Sequence, residues 1–372
     1  MDPARETSEV TDEDRARFVR VVSEELTPEQ LDVLRRPDRV HARQKSVLAV
    51  HWHPEFIPLD VAMDRVHDMF PNRESELVIP TQHNELMTLG PYAGVEVDCY
   101  SRGFNQKVQL LLHFRADRLE GAHVLRSMLA HTHKYRSSQL FDFMETIVGP
   151  NEDRIRAAAR ETGADRVLVD FVRTGVTKVR DLLEASLDKV PANAIKNKLL
   201  RNWFNALRED YGDTFIDRVQ VYLKTVKVLV KAEFPLHYFY RTSEIIEEAR
   251  ALGAGIVVPH PEQFWPILLA DYDVDGYEVW NPQSQRYTEF LITAVERKNA
   301  CAPHDRRLLV FMGDDTHLGE KIKDPEMQDG EKASREVGYQ PAWDDPGIRK
   351  RLVLCGLDRS LVIEQYRNRL DG

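Results

Sequence analysis

The feature of this 372-residue chain that most restricts its fold is a series of short apolar runs, rich in valine, leucine and isoleucine. Each ends at or beside a residue able to ligate a metal. In order, they are 46–50 before His51, 77–80 before His83, 92–95 before Glu96, 108–112 before His113 and 255–259 before His260. Then come 277–280 around Glu278, and 308–312 before Asp315 and His317. Short uninterrupted apolar runs suit strands buried on both faces, as in a parallel sheet covered by helices. Seven such runs predict an α/β protein, and in a parallel barrel the strand ends converge on one face. Unrelated polar residues would scatter instead.

The individual signals differ in strength. In His51-Trp52-His53 the two histidines stand at i and i+2, so in extended chain both point the same way and can grip one ion. The alternative is a pair of polar residues at a strand end. Asp315-Thr316-His317 repeats the spacing with a carboxylate and an imidazole, a mixed set suited to zinc, manganese or iron. The alternative there is a turn over Gly313-Asp314-Asp315 that caps a helix. Glu96 lies inside the apolar Gly94-Val95-Glu96-Val97, where an unpaired carboxylate is costly and needs a cation, a metal or strong donors. His260 is held between Pro259 and Pro261 in a stiff corner, and His83 ends Thr81-Gln82-His83-Asn84. Singly, either reads as a satisfied polar residue.

Around these runs the chain divides by character. Residues 1–44 read as an N-terminal helical extension, with helix starts at Asp12-Glu13-Asp14 and Thr27-Pro28. Residues 45–118 and 254–318 carry the strands. Between them, 119–253 reads as a mostly helical insertion or cap, with helical spacing over 153–161, 176–187 and 193–209. Within it, 166–172 and 219–232 fit strand or helix equally. The segment 319–372 is charged and broken by Gly330, Gly338, Pro341 and Pro346, so surface loops and a last helix over 358–370 are expected.

Composition excludes several classes. A net charge of −10 argues against a protein that coats nucleic acid through a generally basic surface. Cys99, Cys301 and Cys355 are too widely spaced for a disulfide framework or a zinc knuckle, and they read as reduced thiols. The start of the chain lacks a signal-peptide pattern and no apolar stretch reaches ~18 residues. A cytoplasmic protein without a membrane partner is the expectation.

Taken in order, the motifs resemble those of the polymerase and histidinol phosphatase (PHP) superfamily of metal-dependent phosphoesterases. That family has an HxH, a TDH-like motif, a GxE strand, an AHP-like motif, an EVYN-like strand and a terminal SDxH. The counterparts are His51-Trp52-His53, Thr81-Gln82-His83, Gly94-Val95-Glu96, Pro259-His260-Pro261, Tyr277-Glu278-Val279-Trp280-Asn281 and Asp314-Asp315-Thr316-His317. The resemblance spans roughly 45–115 and 254–318. Gln82 stands where the family has Asp, and Asp314 where it has Ser.

The resemblance implies a distorted (β/α)7 barrel with a mostly helical insertion. It also implies two or three divalent ions, zinc, manganese or iron, held by His51, His53, His83, Glu96, His113, His260, Asp315 and His317, with Glu278 in a structural or supporting role. The implied reaction is hydrolysis of a phosphate ester, a phosphatase or nuclease chemistry on a phosphorylated small molecule or nucleotide. Nucleic acid is not favoured by the charge.

Arg102, His131, His133 and Arg136 are candidates to contact the phosphate or leaving group, because Arg offers a bidentate fork and His donates a proton. Their alternative is as solvated loop and helix residues. The basic stretch 196–201, with Trp203 and Phe204 nearby, reads as a nucleotide contact or as an amphipathic helix with its aromatics in the core. Two other functions compete: a non-catalytic binding module of the same fold, and an amidohydrolase-like hydrolase of a C–N or lactone bond.

Overall fold

The computed structural model describes residues 2–150, 152–303, 306–325, 327–354 and 356–372; Cys355 lies outside them. Its architecture is mixed α/β, and the chain groups into two units.

The first unit takes Met1–Leu26, Lys134–Pro235 and Lys323–Gln328 and is helical. Both runs compatible with strand or helix are helix, within Arg166–Ala185 and Asp213–Glu233. The reason is spacing over a longer window: Leu168, Phe171, Val172, Val176, Val179, Leu182 and Leu183 recur every three or four residues and bury one face. The basic stretch leads into the helix Lys198–Asn205, whose Leu199, Leu200, Trp203 and Phe204 are buried. Its aromatics are therefore core, as the amphipathic alternative requires. Lys178, buried on the same unit, is paired with Glu6 at 2.5 Å and Asp14 at 2.9 Å.

The second unit takes Thr27–His133, Leu236–Ile322 and Asp329–Gly372 and holds all the strands. These are β1 (Ser46–Ala49), β2 (Trp52–His53), β3 (Ser75–Val78), β4 (Met87–Leu89), β5 (Tyr92–Ser101), β6 (Gln106–Arg115), β7 (Gly255–Val258), β8 (Gly276–Trp280), β9 (Leu309–Met312) and β10 (Thr316–His317). One six-stranded sheet runs β4-β5-β6-β7-β8-β9, while β1 pairs with β3 and β10 with β2.

Backbone hydrogen bonds extend the β2-β10 and β8-β9 pairings past the strand ends and join the chain after β3 to β2. Asp315 N–H donates to the His51 carbonyl at 3.0 Å, Gly313 N–H to Trp280 at 2.9 Å, and Thr81 N–H to Trp52 at 2.9 Å. An isolated parallel bridge joins His83 to Glu96.

Strand direction departs from the all-parallel expectation. β4, β5, β6 and β7 pair antiparallel; only β7-β8-β9, β1-β3 and β2-β10 are parallel. The cause is the connection. Only residues 102–105 separate β5 from β6, far short of the dozen or more that a parallel crossover needs. β6 therefore runs back, and the residue that follows its apolar run arrives at the opposite end from its counterparts.

The C-terminal segment also departs from the expectation of surface loops. Arg335, Val337 and Gln340 are buried, and Gln340 Nε2 donates to the Leu48 carbonyl at 2.7 Å. The last helix, Arg359–Asp371, buries Val362, Ile363, Tyr366 and Leu370. A charge-rich sequence concealed this because several of its polar side chains, Arg335, Gln340 and Arg359 among them, bond to protein carbonyls and carboxylates rather than to water alone. Among the described residues, no helix is long and apolar enough to cross a membrane, and Cys99 and Cys301 are free thiols.

Candidate metal centre

Seven of the side chains singled out in the sequence meet at the ends of β1, β3, β7 and β9 and on β5. They make three overlapping groups of possible ligand atoms: His51, Glu96 and His260; His51, His53 and Asp315; and His53, His83 and His317.

The short strands β2 and β10 place two pairs side by side, with Trp52 opposite Thr316 and His53 opposite His317. Alternation along each strand then decides what points inward. His53 Nε2 lies 3.4 Å from Asp315 Oδ1 and 3.7 Å from Glu96 Oε2. His51 Nε2 lies 3.7 Å from Asp315 Oδ1 and 4.0 Å from Glu96 Oε1, and His260 Nε2 lies 3.5 Å from Glu96 Oε1. Two ligands held at about 2.1 Å from one tetrahedral ion stand about 3.4 Å apart. The donors are thus spaced to share ions.

Glu96 turns one oxygen toward His51 and His260 and the other toward His53 and His83, the disposition of a bridging carboxylate. His51 Nε2 and both ring nitrogens of His53 are buried without a hydrogen-bond partner among the described residues. Buried polar nitrogens rarely stay unsatisfied, and here the Nε2 atoms of His51 and His53 point at carboxylate oxygens 3.4 to 4.0 Å away. The residues fit a group of divalent ions.

The surrounding polar groups hold the ligands in place. His51 Nδ1–H donates to Glu278 Oε1 at 2.8 Å, leaving only Nε2 for an ion. Glu278 Oε2 accepts the His260 N–H at 2.7 Å and Asn281 Nδ2 at 3.2 Å. Arg335 Nη1 donates to both the Asp315 carbonyl and Oδ2, at 3.1 and 2.8 Å. Gln283 Nε2 also reaches Oδ2, at 3.0 Å, so Oδ1 alone faces the histidines. Asn84 braces the His83 turn against Asp98 through bonds of 2.8 and 2.9 Å. Gln82, in place of the family's Asp, accepts the Glu55 N–H on its Oε1 at 3.3 Å.

Glu55, Asn84, His260 and Asp315 all adopt positive φ. Each such residue costs on the order of 1–3 kcal/mol, and the bonds just described offset it.

Charge in the cluster follows from burial and neighbours. Burial alone would raise the Glu96 carboxyl, but the His83, His260 and His53 imidazoles outweigh it and hold it well below the usual range. Asp315 behaves likewise through His317, His53 and His51. Burial depresses His53, and His83 and His317, stacked on it with ring centroids 4.3 and 4.4 Å away, push it further below its ordinary value. Burial would also depress His51, yet Glu278 prevails and lifts it to about 10. An ion on Nε2 would have to displace that proton, so metal uptake should release protons.

Glu278→Gln is expected to lower metal affinity about 10- to 100-fold with the fold intact. Competition with a fluorescent chelator checks this, and unchanged affinity would remove Glu278 from the support of the site.

His113 does not join the cluster. On the reversed strand β6 it faces Gly94 and Gly255, and both ring nitrogens are taken, Nδ1 by the Tyr366 hydroxyl at 2.6 Å and Nε2 by the Val50 carbonyl at 2.9 Å. Burial holds it down to about 3, so it is a neutral core histidine.

Arg102 is exposed at the β5–β6 turn, six residues past Glu96 and so roughly 20 Å along the strand. His131, on the exposed side of the helix His123–His133, stacks on Tyr238 and bonds its carbonyl at 2.9 Å. His133, at the end of that helix, belongs to none of the three groups. Arg136 lies in the helix Tyr135–Val148 of the helical unit.

Residues that the sequence did not disclose take the places beside the cluster: Glu55, Gln283, Lys332 and Arg335. Only Glu55 had a local cue, two positions past the HxH. A cavity of about 810 Å³ is lined by Gln283 and Arg335, which bond Asp315, by Lys332, and by the carboxylates of Asp314, Asp329, Glu331 and Glu336; none of the seven clustered side chains lines it. That volume suits a small molecule.

The sequence matches no family model and no curated protein. Among solved structures, the chain is similar to a crystal structure from Bifidobacterium adolescentis described as a "putative metal-dependent phosphoesterase". The identity is 14%, the TM-score 0.39, and the match covers 87% of this chain and 98% of that one. At that level the likeness carries no argument about the reaction, which has to stand on the donor set itself.

Proposed function

We propose that this chain is a metal-dependent hydrolase of phosphate esters, with His51, His53, His83, Glu96, His260, Asp315 and His317 as its ligands. The observation that carries the reading is Glu96, a buried carboxylate whose two oxygens face different pairs of histidines. With each oxygen addressing its own pair of imidazoles, the carboxylate is disposed as one shared by two ions would be. The strands would then form a distorted (β/α)7 barrel, a reading supported by the Thr81–Trp52 backbone bond and the His83–Glu96 bridge, each of which joins two of the sheets.

Two or three divalent ions, zinc, manganese or iron, would polarise the phosphoryl oxygens and bring the pKa of a water toward neutrality. The protein's own part is positioning. His51 Nε2 serves one ion only, because Glu278 holds the other nitrogen. Asp315 Oδ1 is kept toward the histidines by Arg335 and Gln283 on Oδ2, and the cavity that Gln283, Lys332 and Arg335 line would receive the ester. Phosphorylated small molecules or nucleotides fit its size, while the net charge of −10 opposes long polyanions.

Ion analysis of the purified protein, followed by hydrolysis of p-nitrophenyl phosphate with and without manganese, tests the reading. Bound divalent ions and manganese-dependent release of p-nitrophenol are expected. A metal-free, inactive protein would abandon catalysis, and turnover of lactones or amides in place of phosphate esters would move the chain to a different hydrolase chemistry.

A further inference from the structure

We propose that Lys332 forms a phosphate-recognition subsite that makes the centre selective for phosphate monoesters over diesters. The proposal rests on the phosphoesterase reading above and names its substrate class. The Lys332 Nζ stands 3.5 Å from His317 Nε2, the same nitrogen that lies 3.5 Å from Asp315 Oδ1 and belongs to the third ligand group.

Neighbouring cations on this face are neutralised: Arg335 by Asp315 and Glu331, Lys321 and Arg65 by Glu336. Lys332 has no carboxylate within ion-pair distance among the described residues, although Asp314, Asp329, Glu331 and Glu336 line the same cavity, and its one side-chain contact there is with His317. Its backbone is fixed, since Asp329 Oδ1 accepts the Lys332 N–H at 3.3 Å and Lys321 Nζ donates to the next carbonyl, that of Ala333, at 2.9 Å.

An ammonium aimed at a ligand nitrogen repels any divalent ion carried there, unless an anion sits between them. A tetrahedral oxyanion solves this, with some oxygens toward the ions and another toward Lys332. A compact, strongly hydrated point charge suits a phosphate oxygen. It also reads charge: the dianionic monoester has an extra negative oxygen to offer, and the diester has an esterified one.

The experiment compares manganese-loaded wild type, Lys332→Met and Lys332→Arg on p-nitrophenyl phosphate and bis(p-nitrophenyl) phosphate, with ion content and calorimetric binding of inorganic phosphate. In Lys332→Met the monoester kcat/KM should fall about 100-fold and the diester value less than about threefold. Phosphate binding should weaken at least about tenfold with ion content unchanged, and Lys332→Arg should recover part of both.

Equal losses on the two esters, a drop in ion content, absence of phosphate binding by wild type, or phosphate affinity untouched by the methionine overturns the subsite. If wild type binds phosphate through Lys332 yet hydrolyses neither ester, the hydrolase reading falls and the subsite stands. If esters are hydrolysed and Lys332→Met is indistinguishable from wild type, the reverse holds.

Discussion

Glu96→Gln is expected to lower kcat/KM on p-nitrophenyl phosphate by about 10³-fold, equivalent to roughly 4 kcal/mol of transition-state stabilisation. The substitution preserves shape and removes the charge that His51, His53, His83 and His260 all face. Four imidazoles surround this carboxylate, and their attraction, not solvent, keeps it ionised against complete burial. Ions held by this carboxylate in common would then lose the anion that screens them from each other, so ion content should fall. The thermal midpoint of wild type should rise with added manganese as binding stabilises the native state, and most of that rise should vanish in the variant. An unaltered ion count together with wild-type turnover would show that Glu96 is a structural acid and would remove the basis of the proposed function.

Gly313→Ala should damage the centre through geometry alone. A Cβ at Gly313 would stand 1.4 Å from Glu278 Oε1 and 3.0 Å from His51 Nδ1. Glu278 would have to swing away, abandoning His51, the His260 N–H and Asn281 together. Overpacking combined with the loss of charged hydrogen bonds is worth about 2–5 kcal/mol. Denaturant unfolding should show that loss, and ion analysis a depleted site.

Pairing the change with Glu278→Gly separates its causes. Removing the obstructing side chain should return much of the stability while the site remains depleted, because nothing then orients His51. A Gly313→Ala protein as stable and as metal-rich as wild type would mean that Glu278 is not locked against β9.

How the residues of the centre were foreseen, or were not, follows the range of the forces that place them. His51 and His53, and likewise Asp315 and His317, were visible because strand periodicity is local: i and i+2 share a side whatever the rest of the chain does. Glu96 stood out because an acid amid valines has to be satisfied. His113 carried the same local signal and yet is a core residue bonded to Tyr366 and Val50. A run of apolar residues does not state its direction, and the tight 102–105 turn, which does, was the cue to weigh.

Arg335 and Lys332 sent no signal at all. They follow the last motif in a charged stretch resembling any solvated tail, and only the folded chain shows Arg335 clamping Asp315 across a separation of 20 residues. Glu278 lies between these cases, recognisable as part of a motif, although its service to His51 spans 227 positions.

Sequence by itself therefore determined most of the buried strands and the histidines and acids that follow or interrupt them, because side-chain alternation and apolar burial act over a few residues. Tertiary structure decided which of those ends meet, which strand is reversed, and which distant Arg, Lys and Glu orient the ligands. Those outcomes depend on loop closure and on satisfying every buried polar group at once, and such constraints bind only when the whole chain is packed.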